Sequence, residues 1–151
     1  MNEYRQVFHE EVFDCKQASD ARQIKLKQEL KTILLRAGTK KMALHLRGCD
    51  RINFRAIKHI FKVKDITFIL PEELAQFNLS KGTINPWNIG FCTYNLVCLK
   101  VFYNRFLATN HSVTTTGIVF QTTHILQLPN PIFGNFSHGD PNLPAPHRFD
   151  C

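Results

Sequence analysis

No CxxC pair occurs among the five cysteines. Their odd number and scatter (Cys15, Cys49, Cys92, Cys98 and Cys151) fit neither a zinc site nor a disulfide frame. Reduced thiols in a cytoplasmic protein are expected. No apolar run is long enough to cross a bilayer, so no membrane role is expected. The segment Met1-Asn2-Glu3-Tyr4-Arg5-Gln6 has no basic region followed by an apolar stretch, which argues against a signal peptide. There is no internal repeat and no interdomain linker. No metal-ligand spacing appears, and the expected cofactor complement is none.

The chain has 151 residues, enough for one core. Its net charge of +7 is uneven. Residues 1–81 carry 16 Lys/Arg against 10 Asp/Glu, and residues 82–151 carry 3 against 2. A basic surplus of this kind suits a polyanionic partner, since neutralised phosphates release counterions; a solvated basic surface is the alternative.

Hydrophobic periodicity gives an order of elements. Val7 to Phe13 reads as a strand and Gln17 to Gln23 as a short helix. Lys31–Arg36 and Met42–Arg47 read as strands of a hairpin turning at Gly38-Thr39-Lys40-Lys41. Ile52–Val63 reads as a helix with Asp50 as N-cap. Its Phe54, Ile57 and Phe61 make a core stripe, and Arg51, Arg55, Lys58 and Lys62 make a basic one. Ile66–Leu70 reads as a buried strand, Pro71–Phe77 as a helix with proline in its first turn, and 96–102, 106–109 and 114–123 as β segments. Five of the seven prolines crowd into Pro129–Pro146, so 128–151 is expected to be a surface-wrapping or partly disordered tail beyond a domain spanning 1–127. Early helices followed by strands indicate an α+β class.

Two features carry chemistry. Lys31 enters an apolar strand, where its ammonium is costly to bury without a polar or anionic partner; the bland reading is a lysine that snorkels to solvent. Gly82-Thr83-Ile84-Asn85-Pro86 is a loop whose glycine permits close backbone approach and whose proline stiffens its exit; the bland reading is an ordinary connection. His45 reads as a satisfied strand residue. Trp87 and Phe91 are core residues or base-stacking rings.

Taken in order, Leu30-Lys31-Thr32-Ile33-Leu34-Leu35, Leu46-Arg47-Gly48, Asp50-Arg51-Ile52-Asn53, Pro71-Glu72-Glu73-Leu74 and Gly82-Thr83-Ile84-Asn85-Pro86-Trp87 resemble the YbaK-type aminoacyl-tRNA editing domain, the family that includes free-standing deacylases and the editing insertion of bacterial prolyl-tRNA synthetase. The resemblance spans roughly residues 7–125. It implies a mixed, barrel-like sheet with surrounding helices, and hydrolysis of the ester joining a wrong amino acid to tRNA. Lys31 matches the family's lysine, and Gly82 and Pro86 match its Gly-x-x-x-Pro loop. The expected roles are Lys31 as catalytic residue and Gly82, Thr83, Ile84, Asn85, Pro86, Asn110 and His111 as substrate-binding residues. Arg51, Arg55, Lys58 and Lys62 are assigned to tRNA. Partners would be aminoacylated tRNA and an aminoacyl-tRNA synthetase. Thr109–Gly117 departs from the family's Asn-Ala-Gly-like segment, and the Pro-rich tail is foreign to it. These departures leave a second class open: an inactive editing-fold module that binds tRNA, a synthetase or a small ligand.

Overall fold

A computed structural model of the chain describes residues 4–139. Strands β2 (Leu30–Ala37) and β3 (Lys40–Arg47) form the expected hairpin, in register from Leu30 opposite Arg47 to Ala37 opposite Lys40. Gly38 has φ 61 at the first position of the two-residue loop, where a side chain would be strained. On β3 lies β6 (Tyr94–Cys98), and on β6 lies β9 (Pro131–Gly134), both parallel; on the far side of β2, β5 (Thr67–Phe68) pairs antiparallel at Leu35 and Arg36. The five-stranded sheet is therefore mixed, in the order β5-β2-β3-β6-β9. A second sheet contains β1 (Tyr4–Phe8), β8 (Thr116–Gln121) and β7 (Phe106–Asn110), and a third pairs β10 (Ser137–Gly139) with β4 (Asp50–Ile52).

The α+β class and the mixed sheet agree with expectation. The barrel-like closure does not: β5 and β9 end the large sheet without pairing to each other, and no closed barrel forms among the described residues. The helices are α1 (Cys15–Arg22), α2 (Phe54–Phe61) and α3 (Pro71–Ala75).

Alternation along β2 and β3 decides what packs where. Leu35, Met42, Leu44 and Leu46 share one face and pack with Ile57 of α2 and with Phe136. Leu34 and Ala43 face the other way, toward Leu74, Ile84 and Ile89. A third cluster joins Leu30 and Val97 to Leu107, Ile118 and Phe120 under β7 and β8.

Several expectations are corrected. Asp50 does not cap α2; Asn53 does, its Oδ1 accepting from Ala56 N at 3.2 Å. Asp50 is buried and holds Arg47 through two 2.9 Å hydrogen bonds. Residues 66–70 are not a buried strand: β5 is two exposed residues, and only Ile69 beyond it is buried. The C-terminal segment does not merely wrap the surface. Pro131–Gly134 and Ser137–Gly139 are sheet strands, and Phe136 between them is 1% exposed in the core. The packed fold thus runs past the boundary set at 127; residues 140–151 lie outside the described ones. Cys15, Cys92 and Cys98 are free thiols, whereas Cys49 is disulfide-bonded, against the expectation of reduced cysteines, because spacing along a chain does not say which sulfurs meet in space. Among the described residues no helix is long and apolar enough to cross a membrane.

Candidate active site

A cavity of about 420 Å³ opens alongside residues 30–33 of β2, next to the stretch where that strand pairs with β5 only at Leu35 and Arg36. Its wall brings together Lys31, Gly82, Ile84 and Asn110, which are distant in sequence. Val12, Ala18, Leu26 and Leu30 supply apolar surface. Lys16, Lys31 and Lys81 supply positive charge, Asp14 and Glu29 negative.

Lys31 lies on the α2 side of the sheet, opposite Leu46, and its Nζ donates to the carbonyl of Asp50. That carbonyl is fixed in turn, since the Asp50 side chain is clamped by Arg47. The partly buried ammonium is therefore met by a polar backbone group, as the sequence required. Ile84 packs on the opposite face with Leu34 and Ala43. The strand edge itself separates the lysine from the loop, and the cavity reaches both.

The loop is stiffened by its own side chains. Asn85 N donates to Asn88 Oδ1 at 2.9 Å, Trp87 N to Asn85 Oδ1 at 2.9 Å, and Asn88 Nδ2 to the Thr83 carbonyl at 2.7 Å. A Cβ on Gly82 would lie 2.8 Å from Thr114 Cγ2, so this position is closed to larger residues unless the threonine moves. Thr83, Asn85, Pro86 and His111 are not in the cavity wall among the described residues. Thr83 bonds the Ser80 carbonyl, Asn85 is buried against Ser112, and His111 is exposed at the turn between β7 and β8. Pro86 and Trp87 border a second cavity of about 640 Å³, with His124 and Gln127.

The four basic residues do not form one helical face. Arg55 and Lys58 belong to α2, Arg51 lies in β4 opposite His138, and Lys62 is the left-handed C-cap of α2 at φ 53. Arg51, Arg55 and Lys62 are exposed, and none of the four lines the cavity.

Three residues of the site escaped sequence reasoning. Glu29, 2% exposed, pairs with Arg22 at 2.6 Å through Oε2, while its Oε1 has no hydrogen-bond partner. Burial pushes its carboxyl up to about 7, with the Arg22 guanidinium pulling it back. Burial, then Glu29, pushes the Cys15 thiol in the wall up to about 11, which disfavours the thiolate. Arg22, just behind the wall, also donates to Asn110 Oδ1 at 2.6 Å. The faint sequence signal was an acid two residues before a strand lysine. His45 is a satisfied buried residue, as expected. Asn95 Nδ2 donates to the Pro129 carbonyl, so Asn95 Oδ1 accepts from His45 Nε2 at 2.8 Å, and His45 Nδ1 accepts from Thr32 at 2.9 Å. Among the described residues no group of three His, Cys, Asp or Glu side chains is placed to hold a metal.

The family whose model matches this chain is described as the aminoacyl-tRNA editing domain, over residues 9–110. Among curated proteins none matches. The fold is similar to that of a candidate trans-editing enzyme for prolyl-tRNA synthetase (12% identity, 90% of this chain and 87% of that one, TM-score 0.77). It is also similar to a protein described only as hypothetical (12% identity, 89% and 91%, TM-score 0.79). A candidate signal-transduction protein from Marinobacter aquaeolei VT8 is 15% identical over 90% of this chain but only 28% of that one, with TM-score 0.66. At these identities the likeness is one of fold.

Proposed function

The chain belongs to the aminoacyl-tRNA editing domain family, and from that premise we propose that it is a trans-editing deacylase hydrolysing the ester of mischarged tRNA. The observation that carries the reading is the convergence of Lys31 with Gly82 and Ile84 on one cavity.

An aminoacyl ester is intrinsically labile, so the protein needs to orient it, polarise its carbonyl and admit a water. Lys31 acts as a point charge beside the ester or the terminal phosphate. The backbone at Gly82 and Ile84 holds the aminoacyl group and steadies the developing oxyanion. Val12, Leu26, Leu30 and Ile84 set the size of side chain admitted. Arg51, Arg55, Lys58 and Lys62 draw in the tRNA phosphates from outside the cavity. The attacking group is water or the terminal ribose hydroxyl, with no covalent enzyme intermediate.

The test is a deacylation screen over mischarged tRNAs with a Lys31→Ala control. The expected result is turnover of at least one of them, reduced about 100-fold or more in the variant. A whole panel with no hydrolysis above buffer would refute the proposal. One observation favours a second reading, a module that binds without hydrolysing: the Lys31 ammonium is engaged by the Asp50 carbonyl. Filter binding that shows tRNA affinity in the absence of turnover selects that reading.

A further inference from the structure

Arg22 ends α1 and is 4% exposed, yet it lies outside the cavity wall. Its guanidinium donates in three directions: Nη1 to Glu29 Oε2 at 2.6 Å, Nη2 to Asn110 Oδ1 at 2.6 Å, and Nε to His9 Nε2 at 3.2 Å. His9 Nδ1 meets the Glu10 carbonyl at 2.7 Å, which fixes the neutral tautomer that leaves Nε2 as the acceptor. Asn110 extends the network, its Nδ2 donating to the Gly82 carbonyl at 2.7 Å. The fold reserves space for the guanidinium. Gly117 stands opposite Asn110 on β8, and a Cβ there would fall 2.3 Å from Arg22 Nε.

Stability alone does not explain this arrangement. A buried arginine–glutamate pair is commonly matched or bettered by apolar residues of similar volume. Here the carboxylate has one oxygen unbonded, and burial outweighs the guanidinium's pull on it. An apolar pair, however, would not orient the Asn110 amide. With Oδ1 turned to Arg22, the amide must turn its NH₂ toward Gly82. The reverse orientation would set two carbonyl oxygens against each other and release the loop.

We propose that Arg22 is a positioning residue of this site, acting through Asn110 to fix the Gly82 carbonyl and with it the stretch of loop that meets the cavity at Gly82 and Ile84. The proposal rests on the deacylase reading for its kinetic consequence but not for its structural one.

The chain has a single tryptophan, Trp87, tied to the same loop by its hydrogen bond to Asn85. Half-exposed and set edge-on to Phe120 at 4.9 Å, its emission reports the loop without any substrate. The experiment compares Arg22→Met/Glu29→Leu, which replaces the pair by apolar volume, and Asn110→Asp, which keeps the acceptor for Arg22 and removes the donor to Gly82. Both are followed by thermal melting, Trp87 emission and deacylation kinetics. The expected result is a cooperative melt, a shifted emission maximum in both variants, and kcat lowered about tenfold or more with KM within about threefold. Wild-type emission and kcat in both folded variants would overturn the proposal. So would a lowered melting temperature with unchanged emission, which marks a purely structural pair. If the double variant does not fold, Asn110→Asp decides by the same readouts. If wild-type protein hydrolyses no ester, the deacylase reading fails, and the emission shift alone supports or overturns the positioning role.

Discussion

Glu29 and His45 are both buried and titrate in opposite senses. Burial raises the Glu29 carboxyl from 4.5 to about 7 against the pull of Arg22. Between those values the folded protein keeps a proton that the unfolded chain has released. The stabilising contribution is therefore complete below 4.5 and is lost as pH rises through about 7. His45 is lowered from 6.5 to about 4 by burial, with its hydrogen bond to Asn95 opposing. In that window the unfolded chain holds the extra proton, so the His45 contribution is present above 6.5 and is lost as pH falls through about 4. From pH 4.5 to 6.5 the two effects oppose. Removing one should expose the other: Glu29→Gln is expected to melt at a temperature that climbs with pH across this interval, more steeply than wild type. Calorimetry at closely spaced pH values measures it, and a variant profile no steeper than wild type would contradict the placement of these two groups.

Strands β9 and β10 show how far an element is legible before its partners are known. The β2–β3 hairpin could be read directly, because alternation and a glycine turn are local properties. So could the Phe54, Ile57 and Phe61 stripe of α2. The proline-rich segment could not. Pro131 is the first residue of β9, and β9 is an edge strand, the two circumstances in which a sheet accepts proline; both are set by a parallel pairing with β6, which is remote in sequence. The site divides in the same way. Lys31 and Gly82 were marked by residue type and spacing, whereas Arg22, Glu29 and the Asn110 amide are linked only through side-chain hydrogen bonds between remote elements. The basic residues do not form one helical face because α2 covers only Phe54–Phe61, which leaves Arg51 in β4 and Lys62 as the left-handed C-cap. Phe136→Ala, at a side chain packed with Leu44, Leu46 and Ile57, is expected to cost about 3–5 kcal/mol in denaturant unfolding. A loss under about 1 kcal/mol would mean that the segment only covers the surface.

On the scale of the whole molecule, the candidate cleft carries Lys16, Lys31 and Lys81 in its wall, while the basic residues around α2 lie outside it. The N-terminal 81 residues hold 16 of the 19 Lys/Arg, and Arg51, Arg55 and Lys62 are exposed outside the cavity. A long polyanion gripped at that surface could send only its end into the cleft. Affinity for tRNA is therefore expected to fall steeply with salt, and Arg55→Glu with Lys58→Glu should flatten that dependence, by roughly one unit of log–log slope for each phosphate no longer neutralised. Equal slopes for variant and wild type would remove α2 from the interface. The cleft itself is tested by a crystal structure with a non-hydrolysable amide analogue of a 3′-aminoacyl adenosine. The aminoacyl group is expected inside the cavity, its carbonyl between Lys31 Nζ and the backbone at Gly82 and Ile84. An analogue bound elsewhere, or a cleft left empty at saturating analogue, would contradict it.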